Sequence, residues 1–194
     1  ENDDKEPEHM AQLAWLDRLR PPPGWRTDRA VLSTYSAHLS VVAASLLALE
    51  GQDADDDASA PGTRVGLGRA LSRLRGRVHV IVQAGRVTAG ASKPSPIVAL
   101  LDRFLIGCPW DESAGSGGHS WHAKFALVRQ VREDATHHQD ESRWVFLMGS
   151  RNLTKDVSWD LGLHLCADAT DQEMPAAHER KPVAGIAVLL ERLV

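Results

Sequence analysis

Short apolar runs of strand length alternate with stretches of helical periodicity along this chain, which limits the folds open to it. Strand-like runs occupy residues 30–36, 77–84, 121–131, 143–149 and 159–167. Helical patterns occupy residues 8–20, 37–51, 96–106 and 183–194, and residues 64–76 fit a short helix or a turn-rich segment. Strands interspersed with helices favour helices packed on a β-sheet. The sequence therefore predicts an α/β sandwich, and we find no internal repeat in it.

Composition narrows the class of protein without indicating a ligand. The 194 residues are 43% hydrophobic and 25% charged, which suits one large globular domain. Because the formal net charge is −4, any anion-binding site must be a local patch. The two cysteines, Cys108 and Cys166, lack zinc-ligand spacing, and we interpret them as reduced, buried thiols of a cytosolic protein. No run reaches the roughly 18 apolar residues of a bilayer span, so we expect a cytoplasmic protein.

The strand-like run WHAKFALV (121–128) contains a histidine and a lysine two residues apart. Residues i and i+2 of a strand point to the same face, so His122 and Lys124 should stand side by side. The opposite face would hold Ala123, Phe125 and Leu127. This arrangement predicts a titratable imidazole next to a positive charge.

The run 143–149 leads into a polar turn, GSRNLT (149–154). Small residues at Gly149 and Ser150 allow an anion to approach closely, and the Ser150 hydroxyl and Asn152 amide offer hydrogen bonds. Together with His122 and Lys124, these groups suit a phosphoryl centre.

HAK followed by GSRNLT resembles the HxK…GSxN motif pair of the phospholipase D superfamily. The match is closest to its phosphodiesterase branch, which includes tyrosyl-DNA phosphodiesterase and small bacterial nucleases. The fuller motif has an aspartate five residues after the lysine, where this chain has Arg129. The resemblance covers residues 29–194 and implies a phospholipase D-like sandwich, a mixed β-sheet flanked by helices on both faces. Residues 1–28 would then form an N-terminal helix and a Pro-rich linker.

The resemblance also implies residue roles. His122 would attack phosphorus to form a phosphohistidine, or would serve as the opposing general acid. Lys124, Asn152 and Ser150 would hold the non-bridging oxygens, and Asp160 would orient the histidine. No metal and no cofactor are implied. Other histidines are assigned capping, surface or packing positions: His38, His119, His137, His138 and His164.

Enzymes of this family use two HxK motifs, whereas this chain has one. A homodimer could pair two copies of His122, or these residues could be the N-terminal half of a longer protein. A third alternative is a degenerate half-site in a pseudoenzyme.

An arginine-rich stretch accompanies the motifs and favours a nucleic acid as partner. Arg73, Arg75, Arg77 and Arg151 are the candidate phosphate contacts, although a solvated face opposite the acidic loop 53–57 would also explain the stretch. Together with the resemblance, which implies a metal-independent phosphodiesterase, this stretch leads us to predict a nuclease of bacterial DNA repair or defence. It would act on DNA rather than RNA, with a larger defence complex as a further partner. The alternatives are a non-catalytic nucleic-acid-binding scaffold and a phospholipid hydrolase or transferase, which would need a membrane-binding patch that the sequence lacks.

Overall fold

The computed structural model describes residues 15–52, 61–89, 100–109, 120–133, 141–155 and 162–169. Its strands are β1 (Trp25–Thr34), β2 (Ala37–His38), β3 (Val78–Gln83), β4 (Val87–Thr88), β5 (Leu105–Cys108), β6 (Phe125–Arg132), β7 (Ser142–Met148) and β8 (Leu163–Ala169). Its helices are α1 (Leu39–Leu49), α2 (Pro61–Leu74) and a 3-10 helix (Leu100–Phe104), and residues 15–19 are also helical. The helix predicted over 183–194 lies outside the described residues. None of the described helices is long and apolar enough to cross a membrane.

The strands other than β2 and β4 form one mixed sheet in the order β5-β3-β1-β6-β7-β8. Strands β1, β3 and β5 are parallel, whereas β6, β7 and β8 each run antiparallel to the preceding neighbour in that order. The carboxyl ends of β1, β3, β5 and β7 therefore meet the amino ends of β6 and β8 along one edge of the sheet. We call this the upper edge.

The hydrophobic core lies between one face of this sheet and the helices. Alternate strand positions such as Leu32, Val80 and Val128 are buried in one cluster with Leu46 of α1 and Leu71 of α2. Burying each such side chain contributes about 1.5–3 kcal/mol before conformational entropy is subtracted. The predicted α/β class is confirmed. The described helices all contribute to this one face.

Strand β1 begins at Trp25, so its predicted start at residue 30 was wrong. The first residues of β1 are largely polar, so they lack the alternating apolar pattern of a strand. Thr27 is nevertheless buried, and the register with β6 shifts between Thr27 and Arg29. A β-bulge of this kind breaks the alternation by which a strand is recognised. Residues 25–28, which the sequence assigned to a linker, are therefore part of the sheet.

The helix predicted over 96–106 was wrong at its carboxyl end. Residues 96–99 are not described; Leu100–Phe104 is a 3-10 helix, and Leu105–Cys108 is strand β5. Leu105 and Ile106 pair in parallel with Val80 and Ile81 of β3. A short apolar run fits either a strand or a helix. Here residues 105–108 are a strand because they pair with the otherwise open edge of β3.

The two cysteines are free thiols, as expected, but neither is buried. Cys108 is half-buried on β5 and Cys166 is exposed on β8. β5 and β8 are the two outermost strands of the sheet, with four strands between them. The two sulfur atoms therefore cannot form a disulfide with each other.

Helix α1 follows the predicted helix closely, although Ala37 and His38 pair as β2 instead of opening it. His38 has the capping role predicted for it: its side chain accepts a hydrogen bond from the Ser40 N–H (3.3 Å). Burial is the main cause that lowers the pKa of His38, and the charge of Lys155 adds to it. Gly51 ends the helix with a φ of 73°, a conformation that favours glycine.

Thr27→Val should destabilise the fold. The buried Thr27 hydroxyl donates to the Leu49 carbonyl at the end of α1 (2.6 Å), and valine would leave that carbonyl without its donor. We expect the free energy of unfolding in urea to fall by about 1–3 kcal/mol. The matched control is Thr88→Val, whose exposed hydroxyl donates over a longer 3.4 Å contact and whose loss should change stability by less than about 0.5 kcal/mol. Equal effects of the two variants would contradict the assignment.

Candidate active site

The predicted site residues come together at the upper edge because of the strand register. Ser33 of β1 pairs with Phe125 of β6, and Phe125 pairs with Met148 of β7. The end of β1, the start of β6 and the end of β7 are therefore adjacent. HAK immediately precedes β6, and GSRN immediately follows β7.

The HAK segment itself is not in the ladder, so the strand predicted over 121–131 begins later, at Phe125. Only the Lys124 carbonyl continues the pairing, by accepting from Gly149 N–H (3.3 Å). Trp121 N–H instead donates to Gln83 Oε1 (2.6 Å). A side chain of β3 thus takes the place of a strand partner.

Two buried polar side chains hold the residues on either side of His122. The Ser33 hydroxyl donates to the Ala123 carbonyl (2.8 Å) and accepts from the Trp121 indole N–H (3.0 Å). The Gln83 amide nitrogen donates to the Cys108 carbonyl (3.1 Å), which fixes the oxygen that receives Trp121. His122 is exposed to solvent between these anchored neighbours, so a ligand can reach it.

His122 and Lys124 stand on the same side, as the i, i+2 spacing predicts. Lys124 Nζ lies 3.0 Å from His122 Nδ1, 3.4 Å from Nε2 and 3.1 Å from the His122 carbonyl oxygen. The ammonium is therefore in contact with both ring nitrogens of His122. Burial lowers the pKa of Lys124.

The GSRN turn is fixed to the residues that follow β1. Asn152 Oδ1 lies 3.4 Å from both the Thr34 hydroxyl and the Ser36 N–H, and Leu153 N–H donates to Thr34 Oγ1 (3.0 Å). His38 N–H donates to the Leu153 carbonyl (2.7 Å). Because Ser36 N–H can only donate, the atom that faces it is the Asn152 oxygen. The amide nitrogen remains as the donor for a ligand.

Tyr35 joins the two motifs. Its ring centroid lies 4.8 Å from that of His122, tilted by 46°, and its chain neighbours Thr34 and Ser36 contact Asn152. His122 and Asn152 thus flank the same three residues. Sequence analysis missed Ser33, Thr34, Tyr35 and Gln83 as parts of the site. The sequence signal that could have identified these four residues is the polarity of their side chains at the ends of apolar strands.

The described connections at the upper edge are basic. They contain no aspartate or glutamate, and their cations are Arg86, Lys124, Arg151 and Lys155. In a chain of formal charge −4, the described part of this edge is therefore positive, and these cations favour an anion. Within the described ranges, no three His, Cys, Asp or Glu side chains form a metal-binding group.

Comparison with known proteins gives a likeness among solved structures and no match of sequence. No protein-family model and no curated protein sequence matches the chain. Among solved structures, a mutant of yeast tyrosyl-DNA phosphodiesterase 1 aligns with a TM-score of 0.37 and 11% identity, over 80% of this chain and 27% of that chain. A likeness at this level establishes neither fold family nor activity. Function must be argued from the geometry of the upper edge.

The structure divides the four arginines proposed as nucleic-acid contacts. Arg151 lies in the GSRN turn, beside Asn152. Arg73 lies in the last turn of α2, and Arg75 and Arg77 lie between α2 and the start of β3, at the opposite edge of the sheet. A strand rises about 3.3 Å per residue, so six-residue β3 places them roughly 20 Å from the upper edge. Arg73 also pairs with Glu50 (3.3 Å). These three cannot contact the phosphate that His122 and Lys124 would hold.

The two remaining predicted site residues are Ser150 and Asp160. Ser150 is exposed in the GSRN turn and borders the site. Asp160 lies outside the described residues, so its role as the partner of His122 stays a prediction.

Proposed function

We propose that this chain is a motif-bearing half of a phospholipase D-like phosphodiesterase that cleaves nucleic acid without a metal. The observation that carries the proposal is the grouping of His122, Lys124 and Asn152 around residues 34–36 at the upper edge. It combines a nucleophile, a cation and a neutral donor. Those are the groups that in-line displacement at phosphorus requires.

His122 is assigned to the attack. Its neutral imidazole nitrogen forms a bond to phosphorus while the bond from phosphorus to the leaving oxygen breaks. The histidine of a second motif protonates that oxygen. Water then attacks the phosphohistidine, its proton passes to the second histidine, and His122 is released. The ammonium of Lys124 and the amide of Asn152, together with the Ser150 hydroxyl, donate to the non-bridging oxygens, where negative charge accumulates. Asp160 is assigned to orient His122.

The second histidine is assigned to another motif-bearing half, either a second copy of this chain or another part of a longer polypeptide. The phospholipase D-like sandwich, with helices on both faces of the sheet, belongs to this proposal. So do a DNA substrate in preference to RNA, and a place in bacterial DNA repair or defence. The basic upper edge supports a polyanionic substrate, and its described connections offer three cations besides Lys124.

A second candidate function is nucleic-acid binding without cleavage. The observation that favours it is the presence of a single HxK motif, because the same basic edge would bind a phosphate chain without an opposing histidine.

Cleavage of labelled single- and double-stranded DNA in excess EDTA tests the proposal. We expect cleavage to continue at the rate seen without the chelator, because the charges that act on phosphorus are side chains. Cleavage that stops in EDTA and returns with Mg²⁺ would overturn the metal-independent mechanism. Binding without cleavage would support the scaffold. Hydrolysis of phospholipid vesicles in place of DNA would support the phospholipid alternative.

A further inference from the structure

Arg86 is held at the upper edge by its backbone on both sides. Its N–H donates to the Gln83 carbonyl (3.0 Å), which closes a turn whose third residue, Gly85, has a φ of 76°. Its carbonyl accepts from Ala37 N–H (3.0 Å), and the strand that follows, β4, pairs with β2. The turn after β3 is thereby fixed to the same segment that holds Asn152.

The side chain of Arg86 lies on an aromatic ring instead of a carboxylate. Its Cζ atom lies 5.2 Å from the centroid of Tyr35, the ring that His122 also contacts. Five other described arginines pair with acids, and the three shortest of these pairs are Arg73 with Glu50, Arg129 with Asp28 and Arg132 with Glu141. In the part of the chain that the structure describes, no carboxylate contacts Arg86.

A guanidinium stacked on a ring keeps its N–H donors available at its own edge. Stacking orients the planar group and reduces the entropy lost when it binds an oxyanion in a bidentate manner. Arg86 is exposed, so these donors can be reached. The residue is therefore positioned in advance for a phosphate.

We propose that Arg86 binds the phosphate next to the one that His122 attacks, so that the site recognises a chain of phosphates. This inference rests on the proposed function and identifies the substrate as an oligonucleotide. The imidazole and the guanidinium lie 4.8 Å and 5.2 Å from the centroid of one ring. Because both groups lie against the same ring, one short stretch of a phosphate chain can contact both. Arg75, at the far edge, has no such access.

Two substrates and a matched variant test the inference. For Arg86→Gln we expect kcat/KM on an oligonucleotide to fall about tenfold or more, as for loss of a charge-assisted hydrogen bond. Hydrolysis of bis-p-nitrophenyl phosphate, which has one phosphate, should change less than about twofold, because the neighbouring phosphate is absent. Arg86→Lys should restore part of the loss. Arg75→Gln should match the unmodified protein on both substrates.

Equilibrium binding separates failure of this inference from failure of the proposed function. Oligonucleotide binding in EDTA, followed by fluorescence anisotropy, should weaken in Arg86→Gln, and its logarithmic salt dependence should decrease by about one. If cleavage depends on His122 but Arg86→Gln binds normally, or slows both substrates equally, the inference is wrong and the function stands. If Arg86→Gln weakens binding although no variant cleaves, the phosphate site stands and the nuclease does not. Absence of both binding and cleavage overturns both.

Discussion

His122→Ala should abolish phosphodiester hydrolysis, with a loss of roughly 10³-fold or more in kcat/KM. Loss of general acid–base catalysis alone accounts for about 10²–10⁴ in rate, and here the covalent route would disappear as well. The ring is exposed and contacts Lys124 and Tyr35 at the surface, so its removal leaves no buried cavity. Rates on bis-p-nitrophenyl phosphate in EDTA measure the effect.

The control for this variant is His79→Ala. His79 is an exposed histidine on β3 whose removal alters the same residue type outside the site. We expect full activity from it, and circular dichroism of both variants should match that of the unmodified protein. If His122→Ala kept more than a few per cent of the rate while His79→Ala was normal, the HAK motif would not be the catalytic group.

A labelled phosphoryl group can distinguish the two possible roles of His122. If it is the nucleophile, alkaline denaturation during turnover should trap a phosphorylated peptide containing residue 122, since phosphohistidine survives base. If it is the general acid in a longer polypeptide, the label should map to the histidine of the other motif, whereas in a homodimer of this chain both roles label residue 122.

The grouping of the candidate residues could be predicted from the sequence because they lie in two short motifs. His122 and Lys124 are separated by one residue, and Asn152 follows a recognisable apolar strand. A polar turn after a buried strand places side chains at a sheet edge whatever the details of the helices.

The support of the site could not be predicted, because it depends on contacts between distant residues. Thr34 and Asn152 are separated by 118 positions, and Ser33 and Ala123 by 90. Such contacts follow from strand register, which no local pattern reveals. The same limitation applies to the arginines. The sequence could not show that Arg73, Arg75 and Arg77 lie at the opposite edge from His122, or that Arg86 lies at the upper edge.

Lys124 should contribute the second large effect, and its variants separate charge from geometry. Lys124→Met removes the ammonium that faces the reacting imidazole and should lower kcat/KM by roughly 10²–10³-fold, as expected when one donor to a developing oxyanion is lost. Lys124→Arg keeps a positive charge but changes its shape and reach. It should retain more activity than the methionine variant.

The pH profile tests whether the ammonium of Lys124 acts as a proton-bearing donor. Burial lowers the pKa of Lys124, so the group loses its proton at a lower pH than an ordinary lysine. As the pH rises through that pKa, donation to the phosphoryl oxygens ends and kcat/KM should fall. In Lys124→Arg the fall should be absent up to about pH 10, because a guanidinium keeps its proton there. If both proteins lost activity over the same alkaline range, another group would be titrating, and the ammonium of Lys124 would not be the proton-bearing donor.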